Sequence, residues 1–322
     1  MPTTLTEPAR MGKGAISTDV LRRFLQAYWL RPENALWMAL RSQTLAPYAL
    51  EEPSVDLCCG DGVFMFLHCG GVFDPEFDVF QSVDGLARVR DDHVDMFDHV
   101  DDGYGPIIVT HPVGQIDVGT DVKPTLLEKA HRLNLYGRLI EHDGNDPLPF
   151  DDSVFQSVYC NAAYWIRSID GFLRELRRIV RPGGRIILQV KLDAMRRYTL
   201  GTFRGALGER FLDIIGRGRV DTWPTIASRS QWEERFRRAT LTVEEATPFI
   251  TRTHAQIWDV GLRPIAPMLV RMANALNPET RSSVKRDWVD LFRTLLAPFN
   301  DPTIDLFNDA GEPGEIQYVL RR

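Results

Sequence analysis

Cysteine is scarce in this chain: four in 322 residues, Cys58, Cys59, Cys69 and Cys160, with no C-x-x-C pair. That spacing excludes the common zinc and dithiol motifs. A chain this long has no need of a disulfide framework, so the thiols read as small buried hydrophobes. Long apolar runs are missing as well. Nothing approaches the ~18 consecutive apolar residues of a membrane span, and residues 1–14 hold no apolar stretch of the secretory kind. A cytoplasmic protein with no membrane partner is the expectation, its first dozen residues disordered. Positive charge is not in surplus either: 38 Lys and Arg against 44 Asp and Glu give a net charge of −6. Nucleic acid is therefore disfavoured as a partner. Arg174, Arg177, Arg178, Arg181 and Arg185 do cluster, but along a helix and its following turn, as a solvated face would. No internal repeat or low-complexity tract is present.

What is there is an ordinary globular composition, 44% hydrophobic, laid out in α/β grammar. Two helices precede residue 50. A short apolar strand, Ser54-Val55-Asp56-Leu57-Cys58-Cys59, stops at Gly60-Asp61-Gly62. Residues 63–112 are acidic and irregular. Strands then alternate with helices: strand 115–121, helix 124–135, strands 137–141 and 155–160, helix 170–180, and strand 185–190 after the turn Arg181-Pro182-Gly183-Gly184. Beyond lie a helix at 230–239, a strand at 241–247, helices over 256–299 broken at Pro264, Pro267 and Pro278, and a closing strand at 314–322. Short connections between alternating strands and helices predict a doubly wound, mostly parallel seven-stranded sheet. The expected organisation is N-terminal helices at 1–50, a Rossmann-like core at 51–252 with an insertion at about 63–112, a helical lid at 253–300, and the last core strand within 301–322.

In such a sheet ligands bind beyond the carboxyl ends of the strands, where the strand order reverses. Asp56-x-Cys58-x-Gly60-x-Gly62 supplies a tight turn whose glycines let backbone approach a ligand at a helix N-terminus. Asp121, ending the next strand beside Val122, can accept bonds from both hydroxyls of a ribose. Asp143-Gly144 follows the third strand, offering a carboxylate to an exocyclic amine and an N–H to a ring nitrogen. Three consecutive strand ends with adenosine-type groups form a set.

That set resembles class I S-adenosylmethionine-dependent methyltransferases of the small-molecule type. Asp56-Leu57-Cys58-Cys59-Gly60-Asp61-Gly62 looks like the first motif of the class, an acid followed by alternating glycines, with Cys58 in the place of the first glycine. Residues 119–130, His142-Asp143-Gly144, the Leu148-Pro149-Phe150 loop and Arg181-Pro182-Gly183-Gly184 are similar to its later motifs, in order, over about residues 54–192. The resemblance implies S-adenosylmethionine as cofactor, with Asp56, Cys58, Gly60 and Gly62 near its methionine part and ribose. It puts Asp121 at the ribose, Asp143 and Gly144 at the adenine, Asn161 near the sulfonium, and Val122 among the cofactor-binding residues. The nicotinamide pattern G-x-G-x-x-G fails, because Met65 holds the third glycine's place.

Tyr164 and Trp165, just past Asn161, and Trp258 in the lid are candidate walls of an acceptor pocket. Trp258, Leu262, Leu269, Met272 and Leu276 are expected along one apolar helical face, serving a lid or a homodimer contact. His254 is the candidate general base. His68, His93, His99 and His111 fall in or near the insertion without any metal-ligand spacing, so no metal is expected. The expected activity is methyl transfer to the O, N or C of a small-molecule substrate. A non-methylating cyclisation or decarboxylation on the same cofactor, and a non-catalytic adenosyl-binding partner protein, are the alternatives.

Overall fold

The computed structural model describes residues 18–81, 100, 103–216, 223–308 and 311–322. The disorder expected of the first residues, and His93 and His99, lie outside them. Helices α1 (Thr18–Ala27) and α2 (Pro32–Leu45) lead into strand β1 (Ser54–Leu57), helix α3 (Val63–His68) and the short strands β2 (Val72–Phe73) and β3 (Ile108–Thr110). Then come β4 (Ile116–Asp121), α4 (Pro124–His131), β5 (Tyr136–Glu141), β6 (Phe155–Cys160), α5 (Ile169–Ile179) and β7 (Val180–Lys191). Helix α6 (Arg229–Arg238) and strand β8 (Thr242–Ile250) precede three helices, α7 (Arg252–Asp259), α8 (Ala266–Asn274) and α9 (Pro278–Leu296), and the chain returns as β9 (Glu315–Arg321). The main sheet has the order β5-β4-β1-β6-β7-β9-β8, while β2 and β3 pair apart from it. Five strands are parallel and β9 runs antiparallel to both β7 and β8. The order reverses at β1, between β4 and β6.

The sheet buries both faces, and the period of two along β7 shows how. Ile186, Leu188 and Val190 join one apolar cluster with Phe172, Leu173 and Leu176 of α5 and Trp232 and Phe236 of α6. Ile187 joins the other, which holds α1, α2, α3 and the C-terminal helices. Trp232 and Phe236 are fully buried, each contributing about 2–3 kcal/mol of apolar transfer. Gln189 and Lys191 have the parity of Ile187, so these polar residues face α2, where the Gln189 amide donates to the Arg41 carbonyl (3.1 Å) and to Gln317 Oε1 (2.8 Å).

Two buried carboxylates pin the outer elements. Glu315, wholly buried at the start of β9, accepts from Arg41 (3.0 Å), from the Trp37 indole (3.2 Å) and from Lys191. It clamps α2 across the carboxyl end of the sheet. Asp78, also fully buried, takes both guanidinium nitrogens of Arg281 (2.9 and 3.0 Å) and the Lys285 ammonium (3.3 Å), which ties the segment after β2 to α9.

Three expectations differ from the structure. Residues 63–68, read as irregular, form α3, because Val63, Phe64, Met65, Phe66 and Leu67 are all buried and leave no polar face to reveal a helical period. Strand β7 starts at Val180 and runs through the Pro-Gly-Gly segment, with a register irregularity opposite Phe155–Ser157. In α8 the inward residues are Val270 and Ala273, while Met272 (65% exposed) and Leu276 (37%) point outward, out of phase with the expected apolar face. Among the described residues no helix is long and apolar enough to cross a membrane, and no group of three or more His, Cys, Asp or Glu side chains is placed to hold a metal ion.

Glu315→Gln is expected to lower stability by about 3–5 kcal/mol, since it leaves two buried cations without a counter-charge. Urea unfolding at pH 7 measures this.

Candidate cofactor and acceptor site

Register brings the candidate residues together. Leu57 pairs with Thr120 on one side and Cys160 on the other, and Asp121 pairs with Glu141. The chain segments that follow, Cys58–Gly62, Val122, Asp143–Gly144 and Asn161, therefore all leave the same end of four neighbouring strands. Asp121 and Asp143 lie on adjacent strands at one edge of the switch point.

The first loop has a left-handed backbone at Cys58 (φ 59°), Gly60 (φ 61°) and Gly62 (φ 73°). Gly62 caps α3, and any Cβ there would sit 3.1–3.2 Å from Tyr136, Ala130 and Leu133. Gly60 is the opposite case: a Cβ would meet nothing within 4 Å, so its face is open. Its N–H donates to Asp121 Oδ2 (3.0 Å), while Lys123 N–H donates to Oδ1 (3.0 Å). Two backbone donors thus fix a carboxylate that has about four acceptor positions. The remaining positions beside the bare Gly60 backbone fit a ribose diol. Burial raises the Asp121 carboxyl above its usual range, against the pull of those two bonds.

Asp56 lies beneath this loop, 3% exposed, and accepts from the Tyr136 hydroxyl (2.7 Å). Burial pushes its carboxyl up to about 7, the Tyr136 bond opposing and the Asp121 charge adding to it. Asp143 is exposed and held below the usual carboxylate range by the backbone and side-chain donors of Asn145 (2.9 and 2.8 Å on Oδ1). Its Oδ2 has no partner among the described residues. Gly144 has a packing reason of its own: a Cβ would come 2.6 Å from Ile166 Cδ1. Val122 is half exposed at the end of β4. Two residues before Asn161, the buried Tyr159 hydroxyl donates to Gln189 Oε1 (2.9 Å).

Residues 103–188 match the model of a family described as a methyltransferase domain. The chain carries a methyltransferase domain. The matched stretch spans the middle of the sheet, from ahead of β4 to near the end of β7. A search of the curated proteins finds no match. Among solved structures, an S-adenosylmethionine-dependent methyltransferase from Thermotoga maritima is similar at 13% identity and a TM-score of 0.44, over 95% of this chain and 97% of that one. One from Mesorhizobium loti aligns at 15% identity and 0.43, over 89% and 97%. The [4+2]-cyclase SpnF aligns at 13% and 0.43, over 89% and 81%.

On the other side of the switch point the expected pocket residues separate. Tyr164 and Trp258 join Trp37 and Trp223 in an aromatic box around Lys191, whose Nζ lies 4.6, 5.7, 4.6 and 6.0 Å from their respective ring centroids. Trp165 is 48% exposed and outside the box. Sequence reasoning missed Trp37, Trp223, Arg41, Lys191 and Glu315. The available signal was a lysine ending a continuous apolar strand and a glutamate opening another.

His254 is not placed over the pocket. It is 1% exposed at the third residue of α7, where Nδ1 accepts from Thr251 N–H (3.1 Å) in a capping box and Nε2 faces the Phe299 carbonyl (2.9 Å). Those bonds fix the neutral Nε2–H tautomer, and burial lowers its pKa to about 4. A general base needs a free nitrogen near the reacting proton; His254 has neither nitrogen available. The cap is its task.

Two outcomes follow from these placements. Asp56 binds its proton more tightly folded (about 7) than unfolded (~3.9), so its contribution to stability falls as pH rises from about 4 to 7 and stays low above. Asp56→Asn, which keeps an acceptor for Tyr136, is expected to match the wild type near pH 4 and exceed it by about 2–4 kcal/mol at pH 8, read from urea unfolding. His254→Gln is expected to lower the melting temperature by several degrees while leaving the pH profile of kcat unchanged; loss of a titrating limb from that profile overturns the capping assignment.

Proposed function

We propose that this protein transfers a methyl group from S-adenosylmethionine to a small-molecule acceptor by in-line displacement. The observation that carries the reading is the Gly60–Asp121 pair, an open glycine backbone bonded to a carboxylate at the switch point of the sheet. When bound, the cofactor supplies a methyl group already activated by its sulfonium.

The chain's own residues then position and exclude water. Asp121 would hold the ribose hydroxyls, and Asp143 would receive the adenine amine on its second oxygen. Asp56 and the Cys58–Gly62 loop would sit beside the methionine part, and Val122 would cover the adenine with apolar surface. Asn161, just past the end of β6, would border the methyl-transfer position. Orientation and the removal of water supply much of the rate when the donor is pre-activated. A base is required only for a poorly ionised hydroxyl or a protonated amine.

Cys58 gives the non-catalytic reading no support. It takes up the left-handed backbone that glycine adopts at such turns, at a cost of about 1–3 kcal/mol, so the loop keeps its path.

Asp121→Ala is expected to weaken S-adenosylhomocysteine binding about ten- to a hundred-fold, through loss of charge-assisted bonds worth about 1.5–3 kcal/mol, measured by calorimetry. Methyl-labelled S-adenosylmethionine incubated with the protein and a pool of small metabolites is expected to yield labelled product. A transformed product without label would replace methyl transfer by the cyclisation or decarboxylation reading.

A further inference from the structure

The aromatic box has one positive charge too many. Arg41 and Lys191, with side chains 5% and 4% exposed, share the single carboxylate of Glu315. Glu33 of the same helix pairs with Arg31 through Oε1. Arg41 Nε is buried and has no hydrogen-bond partner. An uncompensated charge in such a place costs several kcal/mol, of which the four surrounding rings return part through cation–π attraction, about 2 kcal/mol when desolvated. One further anion would complete the set.

The position is on the acceptor's side of the sheet. Lys191 ends β7, the neighbour of β6, whose end delivers Asn161 and Tyr164. Arg41 acts electrostatically on both Tyr159 and Tyr164, and its carbonyl is joined to the Tyr159 hydroxyl through Gln189. The Trp37 and Trp258 rings lie 5.0 Å apart and Trp258 stacks on Trp223 at 6.4 Å, so the walls are flat and apolar. Trp258 is half-buried.

We propose that this box is the acceptor subsite and that the acceptor is a planar carboxylate, its anionic group docking between Arg41 and Lys191 and its skeleton against Trp37, Tyr164, Trp223 and Trp258; the assignment rests on the methyl-transfer reading above. Carboxylate oxygens would accept from Arg41 Nε and from the ammonium of Lys191, in charge-assisted bonds about twice as strong as neutral ones. A neutral isostere would leave the surplus charge unrelieved.

The test is a titration of tryptophan fluorescence in the full chain with benzoate, benzamide and phenyl phosphate, with and without saturating S-adenosylhomocysteine. Benzoate is expected to saturate at a concentration at least about ten-fold below benzamide, a gap of ~1.4 kcal/mol. Lys191→Met is expected to erase that preference and Lys191→Arg to restore it, with S-adenosylhomocysteine binding unchanged in both. Equal binding of benzoate and benzamide, or saturation by neither, overturns the proposal without needing any variant to fold. Tighter binding of phenyl phosphate than of benzoate overturns the carboxylate assignment. Calorimetry with S-adenosylhomocysteine is read separately: its failure strikes the cofactor reading, while the benzoate comparison without nucleoside still decides the box.

Discussion

The side chain of Glu315 is the point on which the acceptor half of this molecule turns. It opens the last strand, wholly buried, and gathers an arginine and a tryptophan from α2 together with a lysine from β7. Helix α2 is buried on nearly every side, so apolar burial alone would leave its rotation weakly determined. The carboxylate selects one rotation, because a buried cation displaced from its counter-charge is far costlier than a displaced methyl group. Fixing α2 in turn places Trp37 and, through Arg41 and Gln189, the polar chain that reaches Tyr159.

The core of the fold was legible from the residues, and the reasons are particular. Strand β6 is a short run bounded by turn residues, and the observed strand coincides with the expected 155–160. The acids at 121 and 143 stood out because each stands at or just past the end of a strand. What stayed hidden was built from residues far apart in sequence. Arg41 and Glu315 are separated by 274 positions and Asp78 and Arg281 by 203, and nothing local to any of the four announces a partner. Helix α3 was hidden for the opposite reason, having no polar side. His254 misled because an exposed-looking sequence context gave no hint that Thr251 and Phe299 would consume both of its nitrogens.

The loop after β1 shows how a departure from a motif can leave its geometry intact. The first-motif pattern asks for glycine where this chain has Cys58, yet the backbone there is left-handed all the same. What makes that tolerable is the surroundings: Cys59 N–H bonds the Thr120 carbonyl at 2.7 Å, and Gly60 N–H bonds Asp121. With the turn pinned at the two residues directly after a strained one, the strain is carried by the sheet rather than relieved by a change of path. Gly62 has no such latitude, since Tyr136, Ala130 and Leu133 already fill the place of its Cβ.

Electrostatically, the two halves of the site lean in opposite directions. Beneath the cofactor loop, burial leaves Asp56 and Asp121 reluctant to ionise, and each raises the other's cost. Under the acceptor box, two cations compete for one carboxylate, and that carboxylate is held below its usual range by Lys191 and Arg41 against the effect of burial. A sulfonium cofactor brings positive charge to the acidic half, and a carboxylate acceptor brings negative charge to the basic half. Each ligand relieves a cost that folding alone leaves in place, so each binds with part of its affinity already stored in the protein. Both imbalances are fixed in buried side chains along one end of the same sheet, so the charge that each half lacks is set by the fold.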